Sequence, residues 1–309
     1  MNLGKISDTV YRRTIAKQVT ISETDMVFEE RMVFGSDKKI GVLAVASVVN
    51  RLWAQQVEDL SICVKILIPK FAFESRLKSM VAYIASACKL HGIDIARMDA
   101  EVNPVITTCV VQVVGSGKRG ARRTFVSPQG LDIVLTNYVG MEGTMRLLHE
   151  RREVLQERFL ASFLQCVEMK AGDLFCDREI ELATKEKITY TKLLGEGGIY
   201  AALWNMAEEL GVGIAINGAE ISIRQETIEI CEYFHLNPYQ LASEGSVLML
   251  TANGEALQAR LREAQIPAAV IGTTTMDNQR TIKRGEEIRF LDKPAPDELL
   301  KIFEDGATT

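Results

Sequence analysis

The stretch Thr191–Ile216, TKLLGEGGIYAALWNMAEELGVGIAI, decides the fold. It opens on a Gly-rich turn, Gly195-Glu196-Gly197-Gly198, and runs at once into an amphipathic segment. Ile199, Leu203, Met206 and Leu210 recur at spacings of four, three and four, which puts them on one face of a helix. Gly211 and Gly213 close that helix, and Val212–Ile216 follows as a short apolar strand. Glycines at a helix start let the backbone come close to another chain or a ligand, and the free N–H groups there suit an anion. The same glycines also make a plain tight turn with a close helix–sheet contact. Short Gly motifs recur by chance, so from this stretch alone the tight turn is the reading to take.

The 309 residues are enough for two medium domains with separate cores. A 47% hydrophobic and 25% charged composition is that of a globular chain. The net charge of −5 argues against general nucleic-acid binding or attachment to an anionic membrane. One basic cluster stands out, Lys118-Arg119-Gly120-Ala121-Arg122-Arg123, which reads as a solvated hairpin tip between two apolar runs. No apolar run approaches the ~20 residues of a membrane span. The start, MNLGKISDTVYRR, lacks the apolar core of a secretion signal, so a cytoplasmic protein is expected. The six cysteines form no C-x-x-C pair and read as reduced thiols. His91, His149 and His235 have no metal-ligand spacing.

Periodicity outlines the remaining elements. Helices are expected at Ile6–Val19, over the apolar run Ile40–Val57, and at Phe73–Cys88, stopped near Gly92. Strands are expected at Met26–Phe34, Leu60–Ile68, Val105–Val114 and Asp132–Val139. Around Gly140 the character changes to a charged helical run, HERREVLQERFLASFL, with Leu155, Phe159 and Phe163 inward. The domain boundary is therefore placed between residues 145 and 146, giving domains 1–145 and 146–309. The second half alternates: Ile221–Ile223 strand, Thr227–Phe234 helix, Ser246–Thr251 strand, Glu255–Ala264 helix and Pro267–Thr273 strand. A hairpin about Arg284-Gly285 and a short helix in Pro296–Phe303 end the order. This succession predicts an α+β fold: a sheet domain followed by a mixed-sheet domain with helices on one face.

Metal-assisted ATP chemistry needs carboxylates for Mg²⁺ and backbone N–H or Lys groups for phosphates. The first-half candidates are Asp25, Asp37, Asp99 and Glu101, with Asn50 as a neutral partner. Asp99 and Glu101 share a face if their segment is a strand. The alternative is that all are loop acids in water, where such residues usually lie. Glu196, beside helix N–H groups, either caps the helix or faces a cation, and the cap is the simpler role. Three scattered histidines give no nucleophilic triad.

Several segments resemble the aminoimidazole ribonucleotide synthetase superfamily, most closely its hydrogenase-maturation branch. They are Gly195–Ile199, Ile223–Thr227, Leu236–Leu241, Ala242–Leu248, Ala268–Gly272 and Gly140–Thr144, with looser matches at Leu3–Ser7, Gly41–Asn50 and Glu101–Pro104. The resemblance implies an N-terminal domain that dimerises through its sheet and a C-terminal α+β domain. It implies ATP and Mg²⁺ in a cleft of that dimer, and a reaction in which ATP activates an oxygen of an amide, phosphate or acid. Carried onto this chain, it assigns Glu101 and Glu196 catalytic roles. Asn50, Gly195, Gly197 and Gly198 fall to the nucleotide, and Asp37 and Asp99 to the metal.

The chain departs from the pattern where that chemistry sits. The early Gly-x-Asp loop is deleted between Thr20 and Asp25, and Arg51 stands where an acid is expected after Asn50. A cation there repels a metal ion. Of the Gly-Gly-His-Thr-Glu type segment only Glu101 remains, and Lys192-Leu193-Leu194 replaces a His-Asp pair. The residues end Gly306-Ala307-Thr308-Thr309, so dehydration of a C-terminal thiocarboxamide in cis is not expected. Two functions follow: an ATP-using enzyme with an altered site, or a non-catalytic relative kept as a binding or scaffold partner. The second would form a homodimer or pair with a catalytic paralogue through the N-terminal sheet.

Overall fold

The computed structural model of the chain describes residues 26–120, 127–170, 174–186, 188 and 190–304. The helix expected at Ile6–Val19, the deleted loop, Asp25 and the tip of the basic cluster lie outside these residues.

The first unit runs β1 (Met26–Gly35), α1 (Ile40–Ala54), β2 (Val57–Pro69), α2 (Glu74–Leu90), β3 (Asp94–Asn103) and β4 (Cys109–Arg119). Its four-stranded sheet has the order β1-β4-β2-β3, antiparallel except where α2 carries the chain from β2 to a parallel β3. Alternation along β1 turns Val27 and Val33 toward α1 and leaves Met26, Phe28 and Met32 exposed on the other face. The fourth strand begins at Cys109 rather than Val105, because Asn103 Oδ1 accepts the Val105 N–H at 2.9 Å and turns the chain around Pro104.

The α1 helix is apolar almost all round, the signature of a helix covered on every side. One side packs on the first sheet, while Trp53 and Ala54 reach into a core of the second unit. It therefore carries Asn50 and Arg51 to the junction.

The second unit contains β5 (Asp132–Thr136), α3 (Met141–Glu150), α4 (Arg152–Arg158), α5 (Ala161–Lys170), α6 (Asp177–Lys185), β6 (Tyr190–Leu193), α7 (Gly198–Leu210) and β7 (Gly213–Asn217). It continues with α8 (Gln225–Tyr233), β8 (Val247–Thr251), α9 (Gly254–Glu263), β9 (Ala268–Thr275), β10 (Arg280–Arg284), β11 (Glu287–Phe290) and α10 (Lys301–Glu304). The sheet order is β11-β10-β7-β9-β5-β8-β6. The molecule is thus an α+β protein of two units. The division at 145/146 is corrected: β5, expected in the first domain, is hydrogen-bonded to β8 and β9 at the middle of the second sheet. The helix cover is corrected as well. Ile133, Leu135, Leu248 and Leu250 face α7, whereas Val134, Val247 and Met249 face α6 and α9, so helices lie on both faces. Ile221–Ile223 shrinks to a single bridge from Ile223 to Val139. Asn253 caps α9, its Oδ1 accepting the Ala256 N–H. Among the described residues no helix is long and apolar enough to cross a membrane.

Candidate functional site

The Gly-rich turn is built for contact. Gly197 and Gly198 have φ of +76° and +61°, the left-handed region that glycine enters without penalty. A Cβ on Gly198 would stand 2.6 Å from the Tyr239 carbonyl oxygen and 2.7 Å from that of Leu241. The Gly195 carbonyl accepts the Ser243 N–H at 3.1 Å. The turn is thereby pressed against the segment that carries Glu244.

The α7 N-terminus already holds an anion. The Gly197 N–H donates to Asp297 Oδ2 at 2.7 Å, and burial raises the Asp297 pKa even though backbone N–H groups oppose the shift. Glu196, for which the cap was the simpler expectation, instead reaches Arg31 of β1 at 2.7 Å. A cleft of about 750 Å³ lies between β1 and residues 294–300, with Arg31, Arg146, Glu196 and Asp297 on its walls.

Behind it the two units are tied by side chains. Asn50 Nδ2 donates to the Leu174 carbonyl at 2.8 Å and to Glu244 Oε1 at 2.9 Å, and its Oδ1 accepts the Cys176 N–H at 2.9 Å. Its amide is spent on protein partners. The other Glu244 oxygen faces Arg51 Nη1 at 3.3 Å, and Arg51 is anchored by the Ser47 carbonyl and hydroxyl. The Glu244 N–H donates to Glu142 Oε2 at 3.1 Å. Glu142, on α3, is buried, and burial pushes its pKa up to about 7 against the pull of Arg31 and Arg146. Among the described residues, Glu142 Oε1 and Arg31 Nε are buried without hydrogen-bond partners.

The remaining candidates are not gathered here. Glu101 is exposed on β3 and paired with Lys65 at 2.8 Å. Asp99 is paired with Arg97 at 2.5 Å. Strand β3 is the edge opposite β1, three strand spacings or roughly 14 Å from the strand whose Arg31 pairs with Glu196. Asp37 faces His149 at 3.4 Å in a different cleft. Conversely, Arg31, Glu142, Arg146, Glu244 and Asp297 were not singled out from the sequence. Glu142 and Glu244 sit inside the segments Gly140–Thr144 and Ala242–Leu248 that carry the resemblance, which is the signal that could have found them.

Residues 8–117 match the family model of the AIR synthase related protein, N-terminal domain, and residues 132–284 that of its C-terminal domain. The chain belongs to the AIR synthase related family. Within that family, the carbamoyl dehydratase HypE of Rhodobacter capsulatus is 25% identical over 255 residues, covering 79% of this chain and 72% of the relative. A solved hydrogenase maturation protein HypE in complex with ATP has a TM-score of 0.74 at 18% identity, covering 93% of this chain and 90% of that one. A HypE–HypF complex has a TM-score of 0.69 at 20% identity, covering 87% and 90%. These structures share the AIR synthase fold with the chain.

The family implies a magnesium ion, and the described donors do not fit one. Magnesium is held by several oxygens at octahedral positions. Among the described residues no three His, Cys, Asp or Glu side chains come together as ligands. Asp37, Asp99 and Glu101 each face a basic side chain, and the carboxylate of Glu244 faces Arg51. The expected metal role of Asp37 and Asp99 thus lacks a supporting cluster.

Proposed function

We propose that this AIR synthase family chain works as a binding or scaffold partner and not as a Mg-ATP-dependent enzyme. The observation that carries this reading is the tie at the junction. Arg51, Asn50 and Glu244 satisfy one another where a metal ligand is expected, and Asp297 occupies a Gly197 N–H suited to a phosphate. Removing Arg51 would leave the buried Glu244 carboxylate without its cation, which is costly. The partner reading draws support from the open face of the first sheet, where Met26, Phe28 and Met32 are 43%, 50% and 55% exposed. A second copy of the chain, or a catalytic paralogue, would cover it. The HypE relative solved with HypF is consistent with a protein-binding role for such a fold.

The test is thermal unfolding with and without millimolar Mg²⁺. The chain itself is expected to show no response to the metal. Arg51→Asp should melt lower without Mg²⁺, because Glu244 loses its cation and gains a like charge, and should recover when Mg²⁺ is added. A rise in melting temperature of the unaltered chain with ATP that requires Mg²⁺ and is absent in EDTA would contradict the reading.

The second reading is ATP-dependent activation of an amide or acid oxygen. One observation favours it: Glu142, with a pKa of about 7, could exchange a proton near neutrality. Turnover of Mg-ATP that is lost in Glu142→Gln would support this reading over the first.

A further inference from the structure

A second cleft, of about 790 Å³, shares no wall residue with the one at Arg31 and Glu196. It is framed by the turn before α1, the start of α2, and residues His149, Arg152 and Glu168 of the α3–α5 helices. Its two acids are already engaged. Asp37 faces His149 at 3.4 Å, and Glu168 pairs with Arg152.

Three cations remain. Lys38, Lys39 and Arg76 have no carboxylate within ion-pair distance among the described residues. Arg76 touches the Cys109 thiol, a neutral group. Both lysine ammonium groups stand 5.7 Å from the centroid of the same ring, Tyr83, so that one aromatic ring serves two cations. Among the described residues neither cation is neutralised by a carboxylate there, which leaves their charge available to an anion. The 15-residue α1 adds to the field, since its first turn has no acid and no side-chain cap. Asp37, expected to hold a cation, therefore lies in anion territory. At the mouth, Phe71 and Phe73 are 89% and 81% exposed, an aromatic rim beside a basic floor.

We infer that this cleft binds a phosphate ester carrying a planar ring, of the nucleotide class, without a metal ion. Lys38, Lys39 and Arg76 take the phosphate oxygens, and Phe71 and Phe73 take the ring. The inference is independent of the partner reading and uses none of its residues.

The test is calorimetric titration of the full chain with ATP, inorganic tripolyphosphate and adenosine, all in EDTA at low salt. ATP and tripolyphosphate should bind, and adenosine alone should not. Lys38→Glu with Lys39→Glu should weaken both anions at least tenfold. A charge-matched pair at exposed positions elsewhere, Lys283→Glu with Lys293→Glu, should weaken them less than threefold. Phe71→Ala with Phe73→Ala should weaken ATP and leave tripolyphosphate unchanged. Unaltered melting temperatures of these surface variants would show that they fold. The inference is overturned if neither anion binds at millimolar concentration, or if the Lys38/Lys39 pair and the control pair weaken binding equally. Equal weakening would mark a general charge effect.

Discussion

Glu142 is the residue whose chemistry is most exposed to test. Folded, it keeps its proton up to about pH 7, whereas an unperturbed glutamic acid loses it near 4.5. The folded state therefore binds more protons than the unfolded state between those values. The stability this group contributes is complete below pH 4.5 and is lost as the pH rises through 7, by about 3 kcal/mol. Glu142→Gln keeps an oxygen to accept the Glu244 N–H and has no charge to bury. Its melting temperature should vary less between pH 5 and 8 than that of the parent chain, and should be higher at pH 8. A parallel pH profile would contradict the shifted titration. At this scale the sequence was half legible. Arg51 can be read as a departure because it stands beside Asn50 in linear order. That Glu244 comes to meet it, 193 positions away, depends on how two units pack, and no local pattern encodes that.

At the scale of elements the Gly-rich turn carries the fold. Gly198→Ala would combine a strained φ with a Cβ between two backbone carbonyls, neither of which can move like a side chain. The expected loss is about 2–4 kcal/mol of stability in denaturant unfolding. A loss below 1 kcal/mol would mean that the α7–Leu241 contact is looser than described. Periodicity located α2 and α7 because each buries a regular face against a core, whereas α1 and β8 are legible as apolar runs of helix and strand length. It misplaced β5, since a short apolar strand reads the same whichever sheet receives it. It also could not choose between one face and two for the helices, because Val247–Thr251 is apolar toward both sides. The Gly-rich turn makes a close backbone contact with Tyr239 and Leu241, and its Gly197 N–H meets Asp297 of the same chain.

The described residues form two sheets joined through α1, and among them one face of the first sheet is left open. If that face is where a second copy docks, Phe28→Glu with Met32→Glu should convert a dimer into a monomer in analytical ultracentrifugation. Both side chains are exposed, so the folded monomer should survive the change. A chain that is monomeric before substitution would remove the self-association part of the account. The central claim is that the junction of Asn50, Arg51 and Glu244 is a structural tie and not a magnesium–nucleotide site. The most direct measurement is the affinity for ATP in Mg²⁺ compared with that in EDTA, repeated in Glu244→Gln. The account predicts no tighter binding with Mg²⁺, and no effect of Glu244→Gln on whatever affinity is seen. Binding that requires Mg²⁺ and disappears in Glu244→Gln would contradict it.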